Sequence, residues 1–155
     1  MRHPVLLLSS MLALSAAGCA VGPTATAPSP QDYYYHATPE QVWNALLLVY
    51  TDLNIPISNM EKASWFMRSQ DMSGASDTAW VDCGTNAFGT PIAQTANVSM
   101  NVTTLLRPTG DSTAMRLNVS VAGSLHAGLA GNVSVNCVSK GVLEKRVVEL
   151  VRQRL

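Results

Sequence analysis

From Asn97 to Val121 the chain alternates between apolar and polar residues, and this stretch constrains the fold more than any other. Val98, Met100, Val102, Thr104 and Leu106 take turns with Asn97, Ser99, Asn101, Thr103 and Leu105. Pro108-Thr109-Gly110-Asp111 then turns the chain, and Met115, Leu117, Val119 and Val121 alternate with Arg116, Asn118 and Ser120. Period two on both sides of a Pro/Gly turn predicts an antiparallel hairpin with one face on a core and one in water. The core face of such a sheet must be covered, so the rest of the chain has to supply helices or a second sheet.

Two amphipathic helices are available. Thr38 can cap the first, Pro39 suits its opening position and Gln41 completes a capping box. Val42, Leu46, Val49 and Leu53, widened by Trp43, Leu47 and Tyr50, form its buried stripe to about Leu53, where Asn54 can end it. Ser139 is the expected cap of the second helix, with Leu143, Val147, Leu150 and Val151 inward and Lys145, Arg146, Arg152 and Arg154 along its other side and end.

Further strands are expected at Asp32–His36, at Ile55–Met60 and Ser64–Ser69 as a hairpin through Glu61-Lys62, and at about Thr78–Cys83. Gly123–Gly131 reads as a small-residue loop, followed by a last inward row of Val133, Val135 and Cys137. The expected class is α+β, with order β-α-β(n)-α. An antiparallel sheet of about six to seven strands packs against an N-terminal and a C-terminal helix.

At 155 residues there is room for one core of ordinary size and not for two. Only 13% of residues are charged, and ten Lys and Arg cancel ten Asp and Glu. This balance excludes nucleic acid as a partner, since phosphate binding needs a basic excess on one face. The charge is replaced by 15 Ser, 12 Thr and 9 Asn.

The chain opens with Met1-Arg2-His3, the apolar run Val5–Leu14, four small residues and Cys19. About ten apolar residues are too few to span some 30 Å of hydrocarbon, so the segment reads as a secretory signal. Leu14-Ser15-Ala16-Ala17-Gly18-Cys19 resembles the lipobox of bacterial lipoproteins, with Ala16 where that family most often has Leu. The resemblance implies cleavage before Cys19, acylation of its thiol and new amino terminus, and attachment to a membrane through the N-terminal lipid. The absence of Asp at Ala20 implies sorting to the outer membrane, facing the periplasm. The organisation is then a signal at 1–18, a lipidated Cys19 with a flexible Pro-rich tether at 19–31, and an α+β domain at 32–155.

The sheet flanked by two helices resembles the helix-grip architecture. Ala37-Thr38-Pro39-Glu40-Gln41-Val42-Trp43-Asn44-Ala45-Leu46, followed by Asn54-Ile55-Pro56-Ile57, together with the lipobox, is similar to the small helix-grip domains of a lipoprotein component of the outer-membrane β-barrel assembly machinery. Val81-Asp82-Cys83-Gly84 and the run Val135–Glu144 also resemble a group of uncharacterised bacterial lipoproteins. The last likeness adds no function; the anchor and fold resemblances imply a non-catalytic, lipid-anchored module that engages an envelope protein partner, as an accessory in envelope assembly. The other reading, from the helix-grip fold, is a carrier of a small apolar or lipid-like ligand.

Motifs for chemistry are sparse. With Cys19 acylated, Cys83 and Cys137 remain as an even pair in an oxidising compartment. A disulfide closing a loop of about 55 residues would stabilise the fold by about 4 kcal/mol; two buried thiols, or a redox pair without CxxC spacing, are the alternatives. His36 and His126 have no metal-ligand spacing, so no metal and no cofactor are expected. Gly123-Ser124-Leu125-His126 departs from a nucleophile elbow, and a non-enzyme is expected. Asn97, Asn101, Asn118 and Asn132 open Asn-x-Ser/Thr triplets and read as polar strand surface. Tyr33, Tyr34 and Tyr35 form the candidate partner surface, with either Tyr34 or the pair Tyr33 and Tyr35 facing outward.

Overall fold

The computed structural model describes residues 22–74, 78–126 and 128–155. In chain order its elements are β1 (Gln31–Tyr35), α1 (Pro39–Asp52), β2 (Ile57–Glu61), β3 (Phe66–Ser69), β4 (Met72–Ser73) and β5 (Val81–Asp82). Then come β6 (Asn97–Thr109), β7 (Ser112–His126), β8 (Asn132–Val135), β9 (Val138–Ser139) and α2 (Val142–Arg152). The class is α+β. Among the described residues, seven strands form an antiparallel sheet in the order β1-β7-β6-β3-β2, with β4 also on β6 and β8 also on β7; β5 and β9 pair separately.

The alternating stretch forms the expected hairpin, with Met100 opposite Val121, Val102 opposite Val119 and Leu106 opposite Met115. Val98, Met100, Val102, Thr104 and Leu106 are all buried, as are Met115 and Leu117, while Val119 and Val121 are partly covered. Met100, Val102, Leu106, Met115 and Leu117 meet Trp43, Leu46, Val49 and Tyr50 of α1 and Leu143, Val147, Val148 and Val151 of α2 in one core. Thr104 is tolerated there because its hydroxyl pairs with the Tyr50 hydroxyl at 2.9 Å.

Helix α1 starts as its sequence predicts. The Gln41 amide donates to Thr38 Oγ1 at 3.3 Å, and the Thr38 amide donates back to Gln41 Oε1 at 2.9 Å. It ends in a Schellman motif: Asn54 adopts φ 51°, its amide reaches Thr51 O at 3.1 Å, and the Ile55 amide reaches Tyr50 O at 2.8 Å.

Four expectations need correction. The strand expected at Thr78–Cys83 shrinks to Val81–Asp82, which pairs with Val138–Ser139 outside the main sheet. The loop expected from Gly123 is strand as far as His126, because Gly123 to His126 pair with Asn132 to Val135. The inward row beyond it is incomplete, with Val133 46% exposed. Ser139 lies in β9, and α2 is capped by Gly141 at φ 78°; the Ser139 hydroxyl accepts the Gly141 amide at 3.1 Å instead.

A second, smaller cluster fills the end of the hairpin away from the Pro108 turn. It contains Val81, Cys83, Ile92, Ala93, Ala96, Val98 and Cys137.

Candidate functional site

Two of the predicted site residues are joined: Cys83 and Cys137 form a disulfide, with Cα atoms 4.0 Å apart. Both are buried in the smaller cluster. The bond ties the chain before β6 to the chain after β8, across the far end of the hairpin. Gly123 passes directly beneath it. A Cβ there would stand 2.5 Å from Cys137 Sγ and 2.7 Å from Val135 Cγ2, so a side chain has no room. Cys19, the expected lipidation site, lies outside the described residues.

Strand β1 resolves the open choice among the tyrosines. Tyr33 and Tyr35 sit opposite Met115 and Thr113 on the covered face, while Tyr34 sits opposite Ala114 on the other. Tyr35 is buried and its hydroxyl donates to Val148 O at 3.3 Å; burial pushes its pKa well above the usual tyrosine value. Tyr33 is half-buried against the core, and Tyr34 is 62% exposed. Tyr34 is thus the one member of the three that projects into solvent, and it does so from a strand with no strand on its other side among the described residues.

Beside Tyr34 lies an ionic cluster that residue patterns alone do not reveal. Arg116 Nε donates to Asp32 Oδ1 at 2.8 Å, and Arg107 also pairs with that carboxylate. The Arg116 hydrogen bond holds the Asp32 pKa below its ordinary value, against partial desolvation and with help from the Arg107 charge. Pairing places Asp32 opposite Arg116 and Tyr34 opposite Ala114, which in turn lies opposite Arg107. The alternation on β6 and β7 contains this signal, since Arg107 and Arg116 fall on outward positions, but their shared partner is fixed only by the register of β1.

The expected tether is partly laid on the domain. The amides of Thr24 and Ala25 donate to Asp82 Oδ2 at 3.0 and 2.9 Å, and the Thr24 hydroxyl donates to the same oxygen at 3.1 Å. Asp82 Oδ1 accepts the Gly84 amide at 2.7 Å. Desolvation raises the Asp82 pKa, but these four donors outweigh it and leave the group below its ordinary value. The place of Asp82 among turn residues accounts for the bond to Gly84 but not for the strap.

His36 Nδ1 meets Ser112 Oγ at 3.2 Å and His126 Nδ1 meets Asn132 Oδ1 at 3.3 Å, so the two imidazoles stand at opposite ends of β7. Ser124 and His126 lie in β7 and its pairing with β8, not in the flexible loop expected for them. Among the described residues no group of three His, Cys, Asp or Glu could hold a metal ion, and no helix is long and apolar enough to cross a membrane. Asn97, Asn101, Asn118 and Asn132 all fall on strand positions, none of them buried. No known family model matches the chain, and no curated protein sequence matches it.

Proposed function

We propose that this protein is a non-catalytic, lipid-anchored interaction module of the bacterial outer membrane, facing the periplasm and engaging an envelope protein through β1. The observation that carries the reading is Tyr34. It is a large aromatic side chain, 62% exposed, on an edge strand whose neighbouring tyrosines are turned into the core. An edge strand offers main-chain groups to a partner's strand, and an adjoining aromatic supplies contact area at small entropic cost. The paired Asp32, Arg107 and Arg116 give that edge a polar rim.

Both helices share one core with one face of the antiparallel sheet, which supports a helix-grip-like arrangement. The filling of that core favours a module over a carrier. Val42, Leu46, Val49, Tyr50, Met67, Val102, Met115, Val147 and Val151 are all essentially inaccessible to solvent and occupy the space between sheet and helices.

A photo-crosslinking amino acid at position 34 in cells tests the proposal, with position 101 in the middle of the sheet's polar face as control. A discrete envelope-protein adduct from position 34 and none from position 101 is expected. Equal labelling from both positions, or none from position 34, contradicts it.

A further inference from the structure

The two ends of the long hairpin differ in charge. No Asp, Glu, Lys or Arg occurs in residues 83–106 or in residues 117–139. Register places these two stretches side by side, Asn97 opposite Ser124 and Met100 opposite Val121, so their far ends combine into one uncharged pole of the molecule. The smaller cluster and its disulfide lie within that pole. Described charges border the stretches at mid-sheet, where Arg68 stands opposite Thr103 and Asp71 Oδ1 accepts the Asn101 side-chain amide at 2.9 Å; nearer the disulfide, Asp82 accepts from the strap and from Gly84, and Lys140 Nζ donates to Thr78 O at 2.7 Å.

Two large apolar side chains project from this pole. Phe88 is 93% exposed, and its turn is closed by hydrogen bonds: Asn86 Oδ1 accepts the amides of Phe88 at 2.9 Å and Thr90 at 3.0 Å, and the Asn86 amide donates to Thr90 O at 2.9 Å. Leu129 is fully exposed in the turn between β7 and β8, at the hairpin end opposite Pro108. Exposed aromatic and aliphatic groups on a charge-free surface suit the interface of a lipid bilayer.

The strap brings that pole to the anchor. Thr24 follows Cys19 by five positions, and a chain of that length reaches at most about 18 Å. Thr24 is hydrogen-bonded to Asp82, whose other oxygen holds Gly84, four residues before Phe88. A lipid carried five residues before Thr24 would therefore be tied by the strap to this one pole.

We infer that the charge-free pole rests on the phospholipid surface, with Phe88 and Leu129 in the headgroup layer and Asp82 holding the strap that sets this orientation. The inference builds on lipidation at Cys19. It places the Tyr34 edge and its ionic rim, which lie toward the charged half of the hairpin, away from the bilayer. The contact uses no cationic patch, so it depends on neither anionic lipid nor low salt.

The test uses the full protein purified from membranes and reconstituted in phosphatidylethanolamine–phosphatidylglycerol vesicles. Nitroxide labels are placed at Ala87→Cys, beside an intact Phe88, and at Gly110→Cys in the opposite turn. Expected is at least a several-fold greater preference for oxygen over a water-soluble nickel relaxant at position 87 than at position 110, unchanged in high salt. Adding Asp82→Asn should reduce the preference while the protein stays on the vesicles. A vesicle-bound, lipidated protein with equal, water-like accessibility at both positions overturns the orientation alone; an unmodified Cys19 in the intact mass overturns the anchor and the orientation together.

Discussion

Gly123 shows what a single residue can hide. In the sequence it opens a run of small residues and reads as loop, yet it lies inside β7, and the feature that demands glycine is the Cys137 sulfur 2.5 Å from where a Cβ would stand. That constraint joins residues 14 positions apart in a pairing that no local pattern encodes. Replacing Gly123 by Val should destabilise the fold by about 1–3 kcal/mol through overpacking, measured as a lower urea midpoint. Asp82 is a second case. Its folded pKa is lowered, so the stability it contributes is present above the ordinary carboxylate value of 3.8 and is lost as pH falls through the lower folded value. Asp82→Asn should flatten the acid limb of the stability–pH curve below pH 3.8, and amide exchange at Thr24 and Ala25 should speed up.

Among the elements, legibility follows length. Strands β6 and β7 have 13 and 15 residues, long enough to repeat a two-residue period many times. Helix α1 has a capping box, a proline at its start and Asn54 at its end, each a local signal with a local cause. Strands β5 and β9 have two residues each and no period to read; they pair beside the disulfide, which joins the residues next to them. The start of α2 is hard to place from sequence because Ser139 has the chemistry of a cap but serves the Gly141 amide from within β9. Thr38→Ala removes the side-chain acceptor at Gln41 and should cost about 1 kcal/mol, seen as a lowered thermal midpoint with the helix content otherwise kept.

At the scale of the molecule, the α+β class and the pairing of cysteines are legible in the residues, but not that the two uncharged stretches form one end. That juxtaposition follows from the register of β6 on β7. The disulfide closes this end over a separation of 54 residues. Its reduction should lower stability by about 4 kcal/mol and loosen the strap before the larger core, which calorimetry with and without reductant will read. On the proposed reading, lipid near one pole and a tyrosine edge toward the other would make a module that stands on a membrane and presents a strand to the periplasm. Everything in this picture turns on the anchor, and the intact mass of the protein extracted from cell membranes tests it most directly. The expected species is a chain that begins at Cys19, lacks residues 1–18 and carries the added mass of acyl groups on that residue. A chain that begins elsewhere, or one with a free Cys19 thiol, contradicts it.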